Sequence, residues 1–382
     1  MLDRRSFLAA TLGAATFPMP ALARAALTLR VIAQRECRVE GQREWAVYPT
    51  LAATPGGKVA AMWGSVMDDG VDTYVQILTP TLSPRSKPVN VRGAGMVHHA
   101  VGMSRTGGVA LTGVATGSTA TPFTFDGALA GPEIQLTRRD ARVCIYEPAV
   151  CTLADGSFMT AWRAESRDSS YFGAAGLVIG PDGRRRTGLF NLFKRYQHYG
   201  AWVFIEALVP AGDGAVVVGT LDERGGLPDG QSTTPRSMRM RRVGPRGQLG
   251  PVTEIATGFD WAVGGAVGLR DRVALFWCVG GTLYGGLYAP NGVCVRDFEP
   301  VPDVPPPVMR VASNKMLVPL GGGRLFNYAG LVVHDLSTGR VVARFDDPRE
   351  NWGEASAAAA LGHGRVAIAN GNYPYLTTLA IE

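Results

Sequence analysis

The segment Tyr146-Glu147-Pro148-Ala149-Val150-Cys151-Thr152-Leu153-Ala154-Asp155-Gly156-Ser157-Phe158-Met159-Thr160-Ala161-Trp162 decides how the whole chain is read. Two runs of small and β-branched apolar residues flank an Asp-Gly pair, which is the pattern of two antiparallel strands joined by a tight turn. The pattern recurs along the sequence. Val47 to Ala53 turns at Pro55-Gly56-Gly57 and resumes through Val59 to Trp63, and His99 to Met103 turns at Gly107-Gly108 before Val109 to Gly113. Trp202 to Val209 turns at Gly212-Asp213-Gly214, and Trp261 to Leu269 turns at Asp271. Val311 to Leu320 turns at glycines 321 to 323, and Glu354 to Leu361 turns at Gly362-His363-Gly364.

Further strands follow each hairpin, such as Phe172 to Ile179 with its turn at Pro181-Asp182-Gly183, and Leu283 to Tyr288 with Pro290-Asn291-Gly292. The repeats begin roughly 43 to 59 residues apart, close to the period of about 40 to 50 expected of four-stranded propeller blades. The expectation is an all-β fold, a single seven-bladed β-propeller over residues 26–382. The last repeat supplies only three strands, Glu354 to Leu361, Val366 to Ala369 and Tyr375 to Ile381. Leu27 to Gln34 is expected to add the fourth, so that the first strand of the mature chain closes the ring and covers an open sheet edge.

Composition agrees. Of 382 residues, 46% are hydrophobic and 18% charged, with 49 Gly and 25 Pro. Charge lies below the roughly 25% of an average soluble domain, which excludes disorder, while the glycines and prolines mark frequent turns. No apolar run of about 18 residues occurs, so no membrane span is expected in the mature chain. Residues Asp3-Arg4-Arg5-Ser6-Phe7-Leu8-Ala9, the weakly apolar Ala10 to Pro20 and Ala21-Leu22-Ala23-Arg24-Ala25 together resemble a bacterial twin-arginine export signal. That resemblance implies residues 1–25 as a signal peptide, the twin-arginine export machinery as a partner, and a periplasmic or secreted destination for a protein folded before export.

The net charge is +6, of which the signal carries +2 through Arg4, Arg5 and Arg24 against Asp3. The mild positive remainder favours acidic polymers. The basic run Arg236 to Arg246 alternates as Met238-Arg239-Met240-Arg241 and reads as a strand with one wet face, not as a nucleic-acid surface. Cys37, Cys144, Cys151, Cys278 and Cys294 are odd in number and lack Cys-x-x-Cys spacing, so they are expected to act as small buried hydrophobes, with one pair free to bond after export. No cofactor is signalled and no metal ligand set is recognised.

The strand, Asp-Gly, strand-to-Trp pattern of Leu153 to Trp162 is similar to that of the broad BNR or sialidase-like propeller group. The Asp-box of true sialidases and a Phe-Arg-Ile-Pro-like motif are both absent, so the likeness covers the blade and not sialidase chemistry. The fold implies a functional face above the channel, where the first strands begin and the second strands end. That criterion selects His99, Tyr146, Arg163 and His198 as catalytic candidates. His98, Glu147, Glu165, Tyr199, Trp202, Glu206, Trp261 and Trp352 become candidates for substrate binding.

The first set resembles, in residue type only, the His, Tyr and Arg groups of ulvan-lyase-like propellers. A cation would neutralise a uronate carboxylate, Tyr146 or His99 would remove the C5 proton, and a second donor would protonate the leaving oxygen. Hydrolysis is the variant, with paired carboxylates such as Glu147 and Glu206 as acid and base. The expected activity is therefore that of a polysaccharide lyase or glycoside hydrolase acting on a polysaccharide or oligosaccharide. The competing class is a non-catalytic propeller that binds a glycan or a protein on the same face.

Overall fold

The computed structural model describes residues 27–42, 47–54, 56–67, 70–93, 98–113, 118–136, 143–166, 172–193, 202–222, 236–259, 261–269, 271–303, 317–328, 330–345, 355–370 and 375–382. For residues 47–48, 70, 92–93, 98, 143–147, 165–166, 172, 202, 222, 261–266, 355–356 and 370 the description stops at the backbone. The export signal lies outside the described residues, as do His198, Tyr199 and Trp352.

The described residues form seven antiparallel sheets of four strands each. The first strand, β1 (Leu29–Glu36), is set aside for the end of the ring. Blade 1 is β2 (Val47–Ala53), β3 (Val59–Met67), β4 (Gly70–Leu78) and β5 (Val89–Gly93). Blade 2 is β6 (His98–Met103), β7 (Gly107–Gly113), β8 (Thr119–Thr124) and β9 (Ile134–Gln135). Blade 3 is β10 (Val143–Thr152), β11 (Phe158–Ser166), β12 (Phe172–Ile179) and β13 (Phe190–Asn191). Blade 4 is β14 (Trp202–Ala211), β15 (Gly214–Asp222), β16 (Ser237–Val243) and β17 (Leu249–Thr257). Blade 5 is β18 (Trp261–Leu269), β19 (Arg272–Val279), β20 (Thr282–Tyr288) and β21 (Cys294–Asp297). Blade 6 is β22 (Leu317–Gly321), β23 (Arg324–Asn327), β24 (Val332–Asp335) and β25 (Val341–Arg344). Blade 7 is β26 (Ala355–Gly362), β27 (Arg365–Asn370) and β28 (Tyr375–Ile381), completed by β1.

The ring closes through its innermost strands. β2 packs on β6, β6 on β10, β10 on β14, β14 on β18, β18 on β22, β22 on β26, and β26 returns to β2. Each seam holds its own apolar cluster, for example Met159, Ala161, Val203 and Ile205 between blades 3 and 4, and Leu51, Trp63, Ala357 and Leu376 between blades 7 and 1. Strand residues are buried on both faces, as in β3, where Val59 to Ser65 are all buried. Two-sided burial explains why the sequence carries so little charge. The closing strand pairs Leu29 with Ile381 and Glu36 with Tyr375. It runs two residues further along the chain than the sequence pattern suggests, because the polar Arg35 and Glu36 still have edge partners in Leu376 and Tyr375.

The turns follow their local chemistry. Gly156, Gly183 and Gly292 all take positive φ, at 81°, 72° and 90°, a region costly for any residue with a Cβ. Asp155 accepts the Ser157 N–H at 2.9 Å and pairs with Arg186 at 2.6 Å. Ser157, and then Arg186, hold its carboxyl below the ordinary range. The basic run departs from expectation on one side. Met238 and Met240 are buried, but Arg241 is only half exposed: it donates to Gly250 O at 2.7 Å and to Leu192 O of blade 3 at 2.8 Å. The side opposite the methionines faces a neighbouring sheet, so the Arg241 guanidinium satisfies backbone carbonyls, while Arg239 pairs with Glu254 at 4.0 Å. Cys37, Cys151 and Cys278 are buried, and Cys294 is exposed.

Candidate functional site

At the upper end of the ring the first strands begin and the second strands finish. Five innermost strands shift register near that end: β2 between Val47 and Thr50, β10 between Tyr146 and Ala149, β14 between Ile205 and Ala207, β18 between Ala262 and Ala266, and β26 between Ala355 and Ala357. β6 pairs without a shift from His98 to Met103. A bulge leaves a residue outside the ladder and re-aims it, which is why bulges gather at barrel rims and active sites. In β10 the displaced residues are Glu147 and Pro148, and in β14 the displaced residue is Glu206. Glu147 and Glu206 are each the fifth residue of their strand, and β10 and β14 are neighbours around the channel. Two carboxylate-bearing residues thus occupy equivalent bulges in adjacent blades. Glu206 is half-buried; for Glu147 the backbone alone is described.

The seam between blades 3 and 4 gathers further candidates. Arg163 stands opposite Tyr146 in the β10–β11 register, and it is 6% exposed. It lies two residues beyond Ala161, whose methyl belongs to the blade 3–4 cluster, and its guanidinium carbon sits 5.2 Å from the Phe204 ring centroid. The aromatic face offers a cation a favourable quadrupole where water is scarce. Phe204 is a site residue the sequence reading missed; the one available signal was its place between Trp202 and Glu206 on the same strand.

The other candidates spread along the same end. His99 is half-buried in β6 opposite Thr112, whose hydroxyl shares a 2.9 Å hydrogen bond with Thr119. Strand alternation puts His99 on the side of Val101, which packs toward blade 1. His99 and Arg163 therefore border different seams, blades 1–2 and blades 3–4. Glu165 stands opposite Cys144, and Trp202 and Trp261 open β14 and β18. His98 begins β6. Among the described residues no cluster of His, Cys, Asp or Glu is arranged to hold a metal ion, and no helix is long and apolar enough to cross a membrane.

The architecture and this seam define a seven-bladed β-propeller with carboxylates set in bulges at its upper end. No protein-family model matches the chain, and no curated protein matches it in sequence. Solved propellers share the fold. The chain is similar to the α-L-arabinanase of Penicillium chrysogenum complexed with arabinobiose, at 10% identity and a TM-score of 0.51 over 93% of this chain and 98% of that one. It is similar to the GH93 α-L-arabinofuranosidase of Fusarium graminearum, also complexed with arabinobiose, at 9% identity and a TM-score of 0.51 over 92% and 98%. The Dos1 propeller matches at 8% identity and a TM-score of 0.50 over 92% and 95%. At such identities the likeness is one of fold.

Proposed function

We propose that this chain is an exported glycoside hydrolase that cleaves a glycan, an arabinose-containing one first among candidates, with Glu147 and Glu206 as its working carboxylates. The observation that carries the reading is the pair of equivalent bulges in β10 and β14. Glycoside hydrolysis needs two carboxyl groups flanking one bond, and Glu147 and Glu206, in bulges of adjacent innermost strands, are the residues that would supply them. One carboxylic acid gives its proton to the glycosidic oxygen as the C–O bond breaks. The other carboxylate activates a water or attacks the anomeric carbon, so that water finally adds its hydroxyl there and returns the proton. The arabinose-acting propellers of similar fold support the choice of sugar, and the Arg-Arg signal of residues 4–5 supports export, with residues 1–25 removed.

Arg163 and Phe204 would fix the seam on which both strands lean. The test is to incubate the mature protein with arabinan, arabino-oligosaccharides and a panel of uronate-containing polymers. New reducing ends from the arabinose substrates, lost in Glu147→Gln and in Glu206→Gln, would support hydrolysis. Ultraviolet absorbance of an unsaturated uronate without hydrolysis would replace it with elimination centred on Tyr146 and Arg163. Binding without any product would leave a glycan-binding propeller.

A further inference from the structure

Blade 5 carries an aromatic pair that the hydrolytic chemistry does not use. Trp277 in β19 and Tyr284 in β20 are register partners, and Trp277 is in turn the partner of Ala262 in β18. Directly opposed residues of an antiparallel pair project from the same face. That face is the one toward blade 4, because Val273 and Leu275, alternate to Trp277 along β19, are buried in the blade 4–5 cluster and Trp277 packs partly against it. The row Ala262, Trp277, Tyr284 therefore runs outward from the channel along the seam of blades 4 and 5. It lies one step above the register shift of β18, as Ile205 does in the neighbouring β14 beside Glu206.

Exposure along the row rises outward. Trp277 is half-buried, whereas Tyr284 is 39% exposed although the residues that follow it in β20, Gly285 to Tyr288, are all buried. Beside it β19 and β20 are joined by the two-residue turn Gly280-Gly281, whose φ values of 56° and 77° keep the hairpin tight. Tyr284 thus sets an aromatic ring at the surface beside the half-buried Trp277, one side apolar and the other wet, which is the setting in which Tyr and Trp serve binding surfaces.

We propose that Trp277 and Tyr284 form a stacking platform for a sugar ring of the same glycan, several residues from the bond that is cut. The C–H face of a sugar is apolar and flat enough to lie on an aromatic ring, while its hydroxyls stay in water. The platform makes the protein a reader of chain length: oligosaccharides long enough to reach from the channel to blade 5 gain affinity that the shortest ones lack. The choice of an arabinose glycan rests on the hydrolase reading; the platform itself rests on the exposed row.

The test uses a full-length mature protein carrying Glu206→Gln, so that chains survive the measurement, and titrates it calorimetrically with arabinobiose through arabinohexaose. The expected result is a rise in affinity with length that falls by about three- to tenfold for the hexaose in Tyr284→Ala and is largely kept in Tyr284→Phe. Trp277→Phe, which preserves packing against blade 4, is expected to remove a length-dependent change in tryptophan fluorescence. Equal hexaose affinity with and without Tyr284→Ala, in proteins of equal melting temperature, overturns the platform. Failure of the hydrolase reading looks different: native protein releases no sugar, while the Tyr284-dependent length effect persists.

Discussion

The guanidinium of Arg163 in blade 3 lies 5.2 Å from the centroid of the Phe204 ring in blade 4. One cation thereby ties the two blades whose innermost strands carry Glu147 and Glu206. Replacing Phe204 with Leu keeps apolar volume but removes the π face, and the expected loss is about 0.5–2 kcal/mol of unfolding free energy. A double-mutant cycle with Arg163→Met in urea is the measurement. Additive effects of the two changes would show that the stacking contributes nothing.

The bulged carboxylates give a kinetic prediction. Glu147→Gln and Glu206→Gln preserve size and should leave the melting temperature within a degree or two, while each lowers kcat on an arabino-oligosaccharide by about 10²–10⁴. Asp213→Asn, in the turn at the opposite end of β14 where Asp213 pairs with Arg242, serves as the control and is expected to retain most activity. Loss of activity in the control alone would move the chemistry away from the bulges.

His334 makes the blade 5–6 seam sensitive to acid. Its ring is fully buried, with ring centroids 5.1 Å from Phe276 and 5.3 Å from Phe298. Burial pushes its pKa down to about 4 from 6.5, with the Gly339 backbone and the Glu299 carboxylate pulling weakly the other way. A histidine whose pKa is depressed on folding binds its proton more readily when unfolded. Its stabilising share is therefore intact above pH 6.5 and lost as pH falls toward 4, by about 3 kcal/mol at most. In His334→Phe that slope should disappear from the pH dependence of unfolding; an unchanged slope would place the acid sensitivity elsewhere.

Gly268 sits where the innermost strands β14 and β18 approach closely. A methyl added there would fall on the carbonyl oxygen of Pro210 in β14, a backbone atom that cannot swing aside. Gly268→Ala is expected to cost about 1–3 kcal/mol. At Gly188 an added methyl meets nothing within 4 Å, and Gly188→Ala should be neutral or slightly stabilising. Thermal melts of the two variants provide the comparison.

Closure by β1 can be tested by removing it. Without residues 29–36, β28 loses partners from Tyr375 to Ile381 and presents an unpaired edge of mostly buried residues. The truncated protein is expected to aggregate or to melt well below the intact one. A monomer of unchanged stability would mean that the ring is held by its seams alone.

What the amino-acid sequence determined by itself is the repeat. Asp155-Gly156, Pro181-Asp182-Gly183 and Pro290-Asn291-Gly292 fix turns through the dihedral angles their own residues permit, and alternation between them fixes strands. Seven hairpins and a stray first strand then leave a ring as the arrangement without open edges. The site was legible only as residue types at one end. Which residues meet depended on the tertiary structure: the register shifts that take Glu147 and Glu206 out of the ladder, the Arg163 guanidinium over Phe204, the Arg241 contact with Leu192 O and the seam around His334. The last three each involve a neighbour outside the residue's own hairpin. Local propensity sets a strand's period, but a one-residue bulge and the identity of the facing blade are settled when the sheets pack against one another around the ring.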